Sequence, residues 1–334
     1  MQLLRKIAFP ISLLYAVVVY FRNYLYDIGW LRSHAFEVPI ICVGNLSVGG
    51  TGKTPMVEFL IALLRDSYKI AVLSRGYKRK SKGFLIATKE STMSDLGDEP
   101  YQIYSKFPEV SLAVDANRCR GVLELQKREK PDIILLDDAF QHRKVRPDYS
   151  ILLTSYGHLF VDDWYLPTGN LRDTKKAAKR ADAIIVTKCP ESLSEQEQEE
   201  IRRKLKPGNN QQVLFSTLAY DRPKQGNQSV SWELLRDRKI TLITGIANPG
   251  PLVSYLLAQG LHLDHLSYPD HHYFSQRELK LFASKALVLT TEKDYVRLSG
   301  KLEKLYYLPV RHSLMGNGAD ILKASLLHLM KRIP

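Results

Sequence analysis

A strand-like run, Pro39–Val43, passes directly into Gly44-Asn45-Leu46-Ser47-Val48-Gly49-Gly50-Thr51-Gly52-Lys53-Thr54, and a helix-compatible stretch, Pro55–Arg65, follows. Strand, glycine-rich loop and helix in that order form the context of a phosphate-binding P-loop. Glycines let backbone N–H groups approach phosphate oxygens, and the helix N-terminus adds the positive end of its dipole. Residues Ser47, Val48, Gly49, Gly50, Thr51 and Gly52 are the expected cradle. Lys53 would reach the β- and γ-phosphates and Thr54 would ligate Mg²⁺. The GxxxxGK[ST] spacing asks for glycine at 47, where this chain has Ser47; Gly49-Gly50 gives instead the GGxGKT form. A purely structural glycine turn is the competing reading, and GGTGKT directly after a strand argues against it.

A P-loop of this kind sits on a parallel sheet, and the rest of the chain reads accordingly. Continuous apolar runs at Lys69–Leu73, Asp132–Leu136, Ser150–Leu153 and Ala183–Val186 have the character of strands covered on both faces. Helix-compatible stretches, including Asn117–Arg128 and Glu191–Leu205, separate them, which indicates a doubly wound α/β sheet. A polar segment, Asp221–Val230, precedes a second α/β series: strands at Lys239–Thr244 and Ala286–Thr290, a run at Leu305–Val310, and a closing helix at Asp320–Met330. The length of 334 residues suits two domains. The expected division is an N-terminal helix (1–30), a P-loop α/β/α domain (31–225) and a smaller C-terminal α/β domain (226–334).

A metal-bound phosphate needs an acidic partner at the end of a neighbouring strand. Ile133-Ile134-Leu135-Leu136-Asp137-Asp138 supplies one, with Asp137 holding Mg²⁺ directly or through water and Asp138 beside it. Guanine-specific P-loop proteins carry an [NT]KxD element; here the corresponding text is Thr187-Lys188-Cys189-Pro190, without the aspartate, so ATP is the expected nucleotide. Phosphoryl transfer to a hydroxyl also needs a group to take the proton. Asp98-Glu99-Pro100 and Asp270-His271-His272 are candidates; alone, the first reads equally as an N-cap and the second as a loop.

Ile7–Phe21 carries no charge, is preceded by Arg5 and Lys6 and ends at Arg22. It is short for a bilayer span of about 20 residues, and no small-residue cleavage site follows it. A helix lying in one leaflet is preferred to a core helix or a marginal transmembrane anchor. The net charge of +13 and the basic runs Arg75–Lys82 and Arg172–Arg180 favour an anionic partner. Lipid headgroups fit better than nucleic acid, for which no recognition motif is present. The three cysteines, Cys42, Cys119 and Cys189, form no CxxC pair, which argues against a disulfide framework or a cysteine zinc site.

Taken in order, these segments resemble the tetraacyldisaccharide 4′-kinases of lipid A synthesis. The text Val43–Pro55 is followed by Ser74-Arg75-Gly76-Tyr77, Gly97-Asp98-Glu99-Pro100, Asp137-Asp138-Ala139-Phe140-Gln141-His142-Arg143 and Leu166-Pro167-Thr168-Gly169-Asn170-Leu171-Arg172. In the second half come Val186–Pro190, Thr244-Gly245-Ile246-Ala247-Asn248-Pro249, Pro269–His272 and Thr291-Glu292-Lys293-Asp294. The resemblance implies an ATP- and Mg²⁺-dependent kinase that phosphorylates the 4′-hydroxyl of tetraacyldisaccharide 1-phosphate, giving lipid IV(A). It would work as a monomer, peripheral or monotopic, at the cytoplasmic face of the bacterial inner membrane. Carried over by motif, Asp98 matches the catalytic aspartate and His271, rather than His272, its partner. Arg75, Tyr77, Glu99, Arg118, Gln141, His142 and Arg172 fall in segments that resemble substrate and nucleotide contacts. A membrane-associated P-loop ATPase switch is the main alternative, but such switches carry a lysine where this chain has Val48. A non-catalytic nucleic-acid or lipid-binding module would leave Lys53, Thr54 and Asp137 idle.

Overall fold

The computed structural model describes residue 5, residues 7–236 and residues 238–332. Its strands fall into two sheets. In chain order the first contains β1 (Ile40–Asn45), β2 (Ile70–Ser74), β3 (Leu85–Ile86), β4 (Ser111–Val114), β5 (Ile133–Asp137), β6 (Tyr149–Ser155), β7 (Ala183–Thr187) and β8 (Gln212–Tyr220). The second is built from β9 (Lys224–Gln225), β10 (Gln228–Ser229), β11 (Ile240–Thr244), β12 (Leu263–Ser267), β13 (Val288–Thr291) and β14 (Leu305–Leu308). A last strand, β15 (Val310–Leu314), returns to the first sheet, whose order is β15-β8-β7-β6-β1-β5-β2-β4-β3.

The apolar runs become central strands because every residue of β1, β2, β5 and β7 is buried. Successive side chains alternate between two cores: Ile40 and Cys42 enter one, Ile41 and Val43 the other. Strand β1 pairs in parallel with both β5 and β6, although the chain leaves it for β2, on the far side of β5. This switch in strand order opens a crevice at the carboxyl ends of the strands. The register Val43↔Asp137 sets the start of the P-loop beside the end of β5.

The division at 226–334 needs correction at its far end. Leu305–Val310, one run in the sequence, splits at Pro309 into β14 of the second sheet and β15 of the first. Proline has no N–H for a ladder, so the two halves of the run are free to join different sheets. The closing helix, Gly318–Arg332, then buries Leu322 and Leu326 in the same core as Met56 and Leu60 of the helix after the P-loop. The smaller unit thus hangs from the larger by two short connections, Asp221–Pro223 and Pro309, and the Asp221 N–H donates to the Pro309 carbonyl at 3.0 Å.

The N-terminal helix, Phe9–Asp27, is built the opposite way from a core helix. It turns Ser12 and Asn23 inward, where Ser12 Oγ donates to Thr168 Oγ1 (2.8 Å) and Asn23 Nδ2 to Asp173 Oδ1 (2.6 Å). Ile11, Leu14, Val17, Val18 and Phe21 face outward and are each more than half exposed. No helix among the described residues is long and apolar enough to cross a membrane.

Candidate active site

The phosphate-facing half grows out of β1. Gly52 has a left-handed φ of +87° and caps the helix Lys53–Leu64, a conformation that disfavours a side chain. A Cβ there would also lie 2.8 Å from His312 Nε2. The loop is braced on several sides. Asn45 Nδ2 donates to Thr51 Oγ1, and Thr187 Oγ1 donates to the Thr51 carbonyl, both at 2.9 Å. The Val48 N–H donates to the Asn170 carbonyl at 2.8 Å. From β15, His312 Nε2 lies 2.9 Å from the Gly52 carbonyl, and Ser216 Oγ lies 2.8 Å from Nδ1. Burial pushes His312 down to about 4, so a neutral imidazole donates its one N–H to Gly52.

Thr54 is buried at the helix start, and Lys53 Nζ lies 3.9 Å from Asp138 Oδ1. Arg172 grips the same carboxylate, with Nη1 donating to Oδ2 at 3.2 Å and Nη2 to Oδ1. Asp138 itself adopts a left-handed φ of +48°, which turns it back towards the loop. Asp137 is buried; Ser74 Oγ donates to its Oδ2 at 2.9 Å, whereas Oδ1 has no hydrogen-bond partner. Burial, then the charges of Glu99 and Asp138, push Asp137 up to about 7. An orphaned, crowded carboxylate oxygen at the end of β5 and a buried threonine in the first turn of the helix after the P-loop are a donor set that fits Mg²⁺. That ion takes only one or two protein ligands and fills the rest with phosphate and water.

Next to this lies a wall of positive charge. Arg118 is 3% exposed. Its Nη1 donates to the Asp115 carbonyl at 2.7 Å, but Nε and Nη2 are buried with no partner. Burial, then the charges of Arg118 and Arg75, push His142 down to about 4, so it is neutral amid guanidinium groups. Gln141 Nε2 is tied to the Asn45 carbonyl at 2.7 Å. Arg75 and Tyr77 are exposed at the rim. Unpaired buried guanidinium nitrogens are costly, and an anion is the ligand that relieves them.

The half of the candidate site around Asp98 crosses between the two units. Gly97, at φ +91°, caps the helix Asp98–Lys106, so Asp98 stands in its first turn rather than at its cap. One carboxylate oxygen, Oδ2, collects every bond: His271 Nδ1 at 3.0 Å, Arg297 Nε at 3.1 Å, and Arg297 Nη2. Oδ1 has no hydrogen-bond partner among the described residues. Burial alone would raise the Asp98 pKa, but the bonds from His271 and Arg297 outweigh it and hold the group down to about 2. His271 reaches Asp98 from a left-handed φ of +61°, with the Tyr77 ring edge-on at 5.8 Å. His272 is turned away; it lies 3.0 Å from Glu278 and stacks on Tyr268. A second link lies at the far end of the Asp98 helix, where Lys106 Nζ pairs with Glu58 Oε2 (2.6 Å) and Glu292 Oε1 (3.0 Å).

A family model described as tetraacyldisaccharide-1-P 4′-kinase matches residues 4–331. The chain belongs to this kinase family. It is 48% identical to the tetraacyldisaccharide 4′-kinase of Flavobacterium johnsoniae, over 99% of this chain and 98% of that one. It is 44% identical to that of Bacteroides thetaiotaomicron, over 95% and 91%. The crystal structure of the "apo" form of LpxK from Aquifex aeolicus in complex with ATP superposes with a TM-score of 0.82 at 33% identity, covering 98% of this chain and 99% of that one.

Within this kinase chain, three residues close to the site escape a reading by motif. Arg297 lies three positions beyond Asp294, whose Oδ1 accepts from its Nη1 at 2.8 Å; the i,i+3 spacing is the one signal that could have found it. Lys293 stands inside a quoted motif yet carries no role there, and it meets His271 Nε2 at 3.1 Å. His312 lies on the returning strand, in a stretch with no motif at all.

Proposed function

We propose that this chain transfers the γ-phosphate of ATP to the 4′-hydroxyl of tetraacyldisaccharide 1-phosphate, with Lys53 and Arg172 on the phosphate and Asp98 on the proton. The observation that carries the residue roles is a buried, ionised carboxylate with one free oxygen, in the same crevice as a complete P-loop. Asp98 and Glu99 are adjacent on one helix turn, and the charge of Glu99 acts on Asp137 while Asp98 binds His271. The acceptor hydroxyl would thus lie between them and the phosphate.

Asp98 Oδ1 takes the hydroxyl proton as the 4′-oxygen bonds to the γ-phosphorus and the bond from that phosphorus to the ADP oxygen breaks, so that ADP leaves. A carboxylate held at low pKa is a weak base, and that suffices for a loose transition state, in which the proton leaves after most of the charge has moved. Lys53 and Arg172 neutralise the phosphate oxygens. Mg²⁺, held by Thr54 and Asp137 with Asp138 beside it, supplies further charge neutralisation when bound. Arg75 and Arg118 give the wall that receives the anionic part of the glycolipid, with Tyr77, Gln141 and His142 shaping it. The decisive assay is transfer of labelled γ-phosphate to tetraacyldisaccharide 1-phosphate in mixed micelles. Labelled lipid that disappears in Lys53→Ala and Asp98→Ala supports the reading; ATP hydrolysis that rises with protein concentration and yields no labelled lipid would favour a dimerising ATPase switch.

The enzyme meets its lipid as a monomer peripheral to the cytoplasmic face of the inner membrane. The outward apolar side of Phe9–Asp27, with Arg22 and Lys176 beside it, supports insertion into one anionic leaflet. Leu14→Glu with Val18→Glu should abolish co-sedimentation with anionic vesicles; unchanged sedimentation would refute this placement.

A further inference from the structure

Among the described residues, His271 is the imidazole in contact with the carboxylate assigned to the proton, and which of its nitrogens holds hydrogen decides what it can do. Four charged groups face it. Asp98 Oδ2 lies 3.0 Å from Nδ1. Arg297 Nη2 lies 3.2 Å from the same nitrogen and donates to Asp98 Oδ2, the shorter of its two contacts. Lys293 Nζ lies 3.1 Å from Nε2. Asp270 Oδ2 is 3.9 Å from Nε2, too far to accept a hydrogen bond from it.

An ammonium has three donors and no acceptor, whereas an ionised carboxylate only accepts. Nε2 must therefore present its lone pair to Lys293, and Nδ1 must carry the hydrogen that Asp98 receives. The opposite tautomer would set a lone pair against a carboxylate at one end and N–H against ammonium at the other. An imidazolium would keep the second of these clashes. Lys293 is itself anchored at 3.0 Å to Asp270 Oδ1 and lies 3.9 Å from Glu99 Oε1, so its charge is compensated from both units.

We propose that Lys293 is a positioning residue that locks His271 in the neutral Nδ1–H tautomer, so that the imidazole orients Asp98 and does not relay its proton. The lone pair that a relay would need is occupied by the Lys293 ammonium, and the nitrogen facing Asp98 is already protonated. The proton lost by the acceptor hydroxyl then stays on Asp98 until product leaves. The consequence for turnover rests on the assignment of Asp98 as base; the tautomer does not.

The test is ¹⁵N NMR of the enzyme labelled in its histidine rings, with the His271 signals identified by their absence in His271→Gln. In the wild-type enzyme at neutral pH, Nδ1 should be protonated and Nε2 not. In Lys293→Met, Nε2 should gain a proton, and kcat should fall about tenfold with KM for ATP unchanged. Lys293→Arg, which restores a donor at Nε2, should recover the wild-type tautomer. Protonation at Nε2 in the wild-type enzyme, or an unaltered His271 spectrum in Lys293→Met, would overturn the proposal. Near-normal turnover in Asp98→Ala, by contrast, would remove the base assignment and leave the tautomer intact.

Discussion

The two halves of the crevice are made by different means. The phosphate side is mostly local: a contiguous loop from Gly44 to Thr54, shaped by backbone geometry and a helix start, joined to Asp137 by neighbouring strands in register. The proton side is assembled from side chains 173 and 199 positions apart, on a helix of the larger unit and on a loop and a helix of the smaller one. A cradle of N–H groups comes with the secondary structure itself and survives many side-chain changes. A carboxylate held by His271 and Arg297 exists only while the second unit is docked against the helix Asp98–Lys106. The difference implies that nucleotide binding and proton acceptance can be damaged separately.

The sharpest test of that separation is a pair of variants. Asp98→Ala should lower kcat by about three orders of magnitude and leave ATP affinity unchanged, while Lys53→Ala should lose both. Equilibrium binding of ATP to the two variants distinguishes them; a parallel loss of affinity in Asp98→Ala would erase the division between the halves.

Arg297→Met should come next. It leaves the Asp98 and Asp294 carboxylates buried without their cation, and breaking such a buried pair costs about 3–5 kcal/mol. Urea unfolding measures the cost, and ATP binding by the folded fraction should persist. Arg297→Lys should rescue little, because one ammonium cannot span both carboxylates as the guanidinium does.

Acid titration gives a smaller effect with a definite sign. Asp98 is held down to about 2 from an ordinary 3.8, so the native chain binds this proton less readily than the unfolded one. The stabilisation, about 2 kcal/mol, is fully present above the unfolded value and is lost as pH falls through the folded one. The stability gap between wild type and Asp98→Asn should therefore narrow between pH 5 and pH 3 by urea unfolding; a constant gap would show that the carboxylate charge is not what holds the units together.

The smallest effect belongs to the phosphate side. His312→Ala removes the donor to the Gly52 carbonyl and should weaken ATP binding about fivefold, the equivalent of about 1 kcal/mol, with kcat nearly unaltered. Calorimetric titration with ATP would show it. A large fall in kcat instead would mean that the returning strand controls the chemistry as well as the cradle.

Much of this was legible before any coordinates. Pro39–Thr54 specifies strand, loop and helix because each signal is local: an apolar run, glycines, and a phosphate-seeking lysine at a helix start. Asp137-Asp138 reads as an acidic strand end for the same reason, and the continuous apolar strands predict a sheet covered on both faces. The motif text also draws attention to Asp98 and His271, although nothing in either segment alone distinguishes a base from a helix cap or a ring from its neighbour His272. One expectation did not survive. Residues 310–332 belong to the first sheet and its core, because Pro309 breaks a run that looks continuous on paper. The N-terminal helix turns Ser12, Val19 and Asn23 inward and most of its apolar residues outward, which goes against the core-helix alternative.

By itself, then, the sequence determined what periodicity, glycine and strand-end chemistry can encode: the α/β class, a glycine-rich loop between strand and helix, an acidic strand end, and the family. Only the tertiary structure decided which distant charges meet. Arg297 on Asp98 and His312 on Gly52 are contacts across 199 and 260 positions, and Lys293 on His271 joins a helix to an opposed loop. Their strength depends on burial and on the direction of each hydrogen bond, and neither is a property of neighbouring residues in the chain.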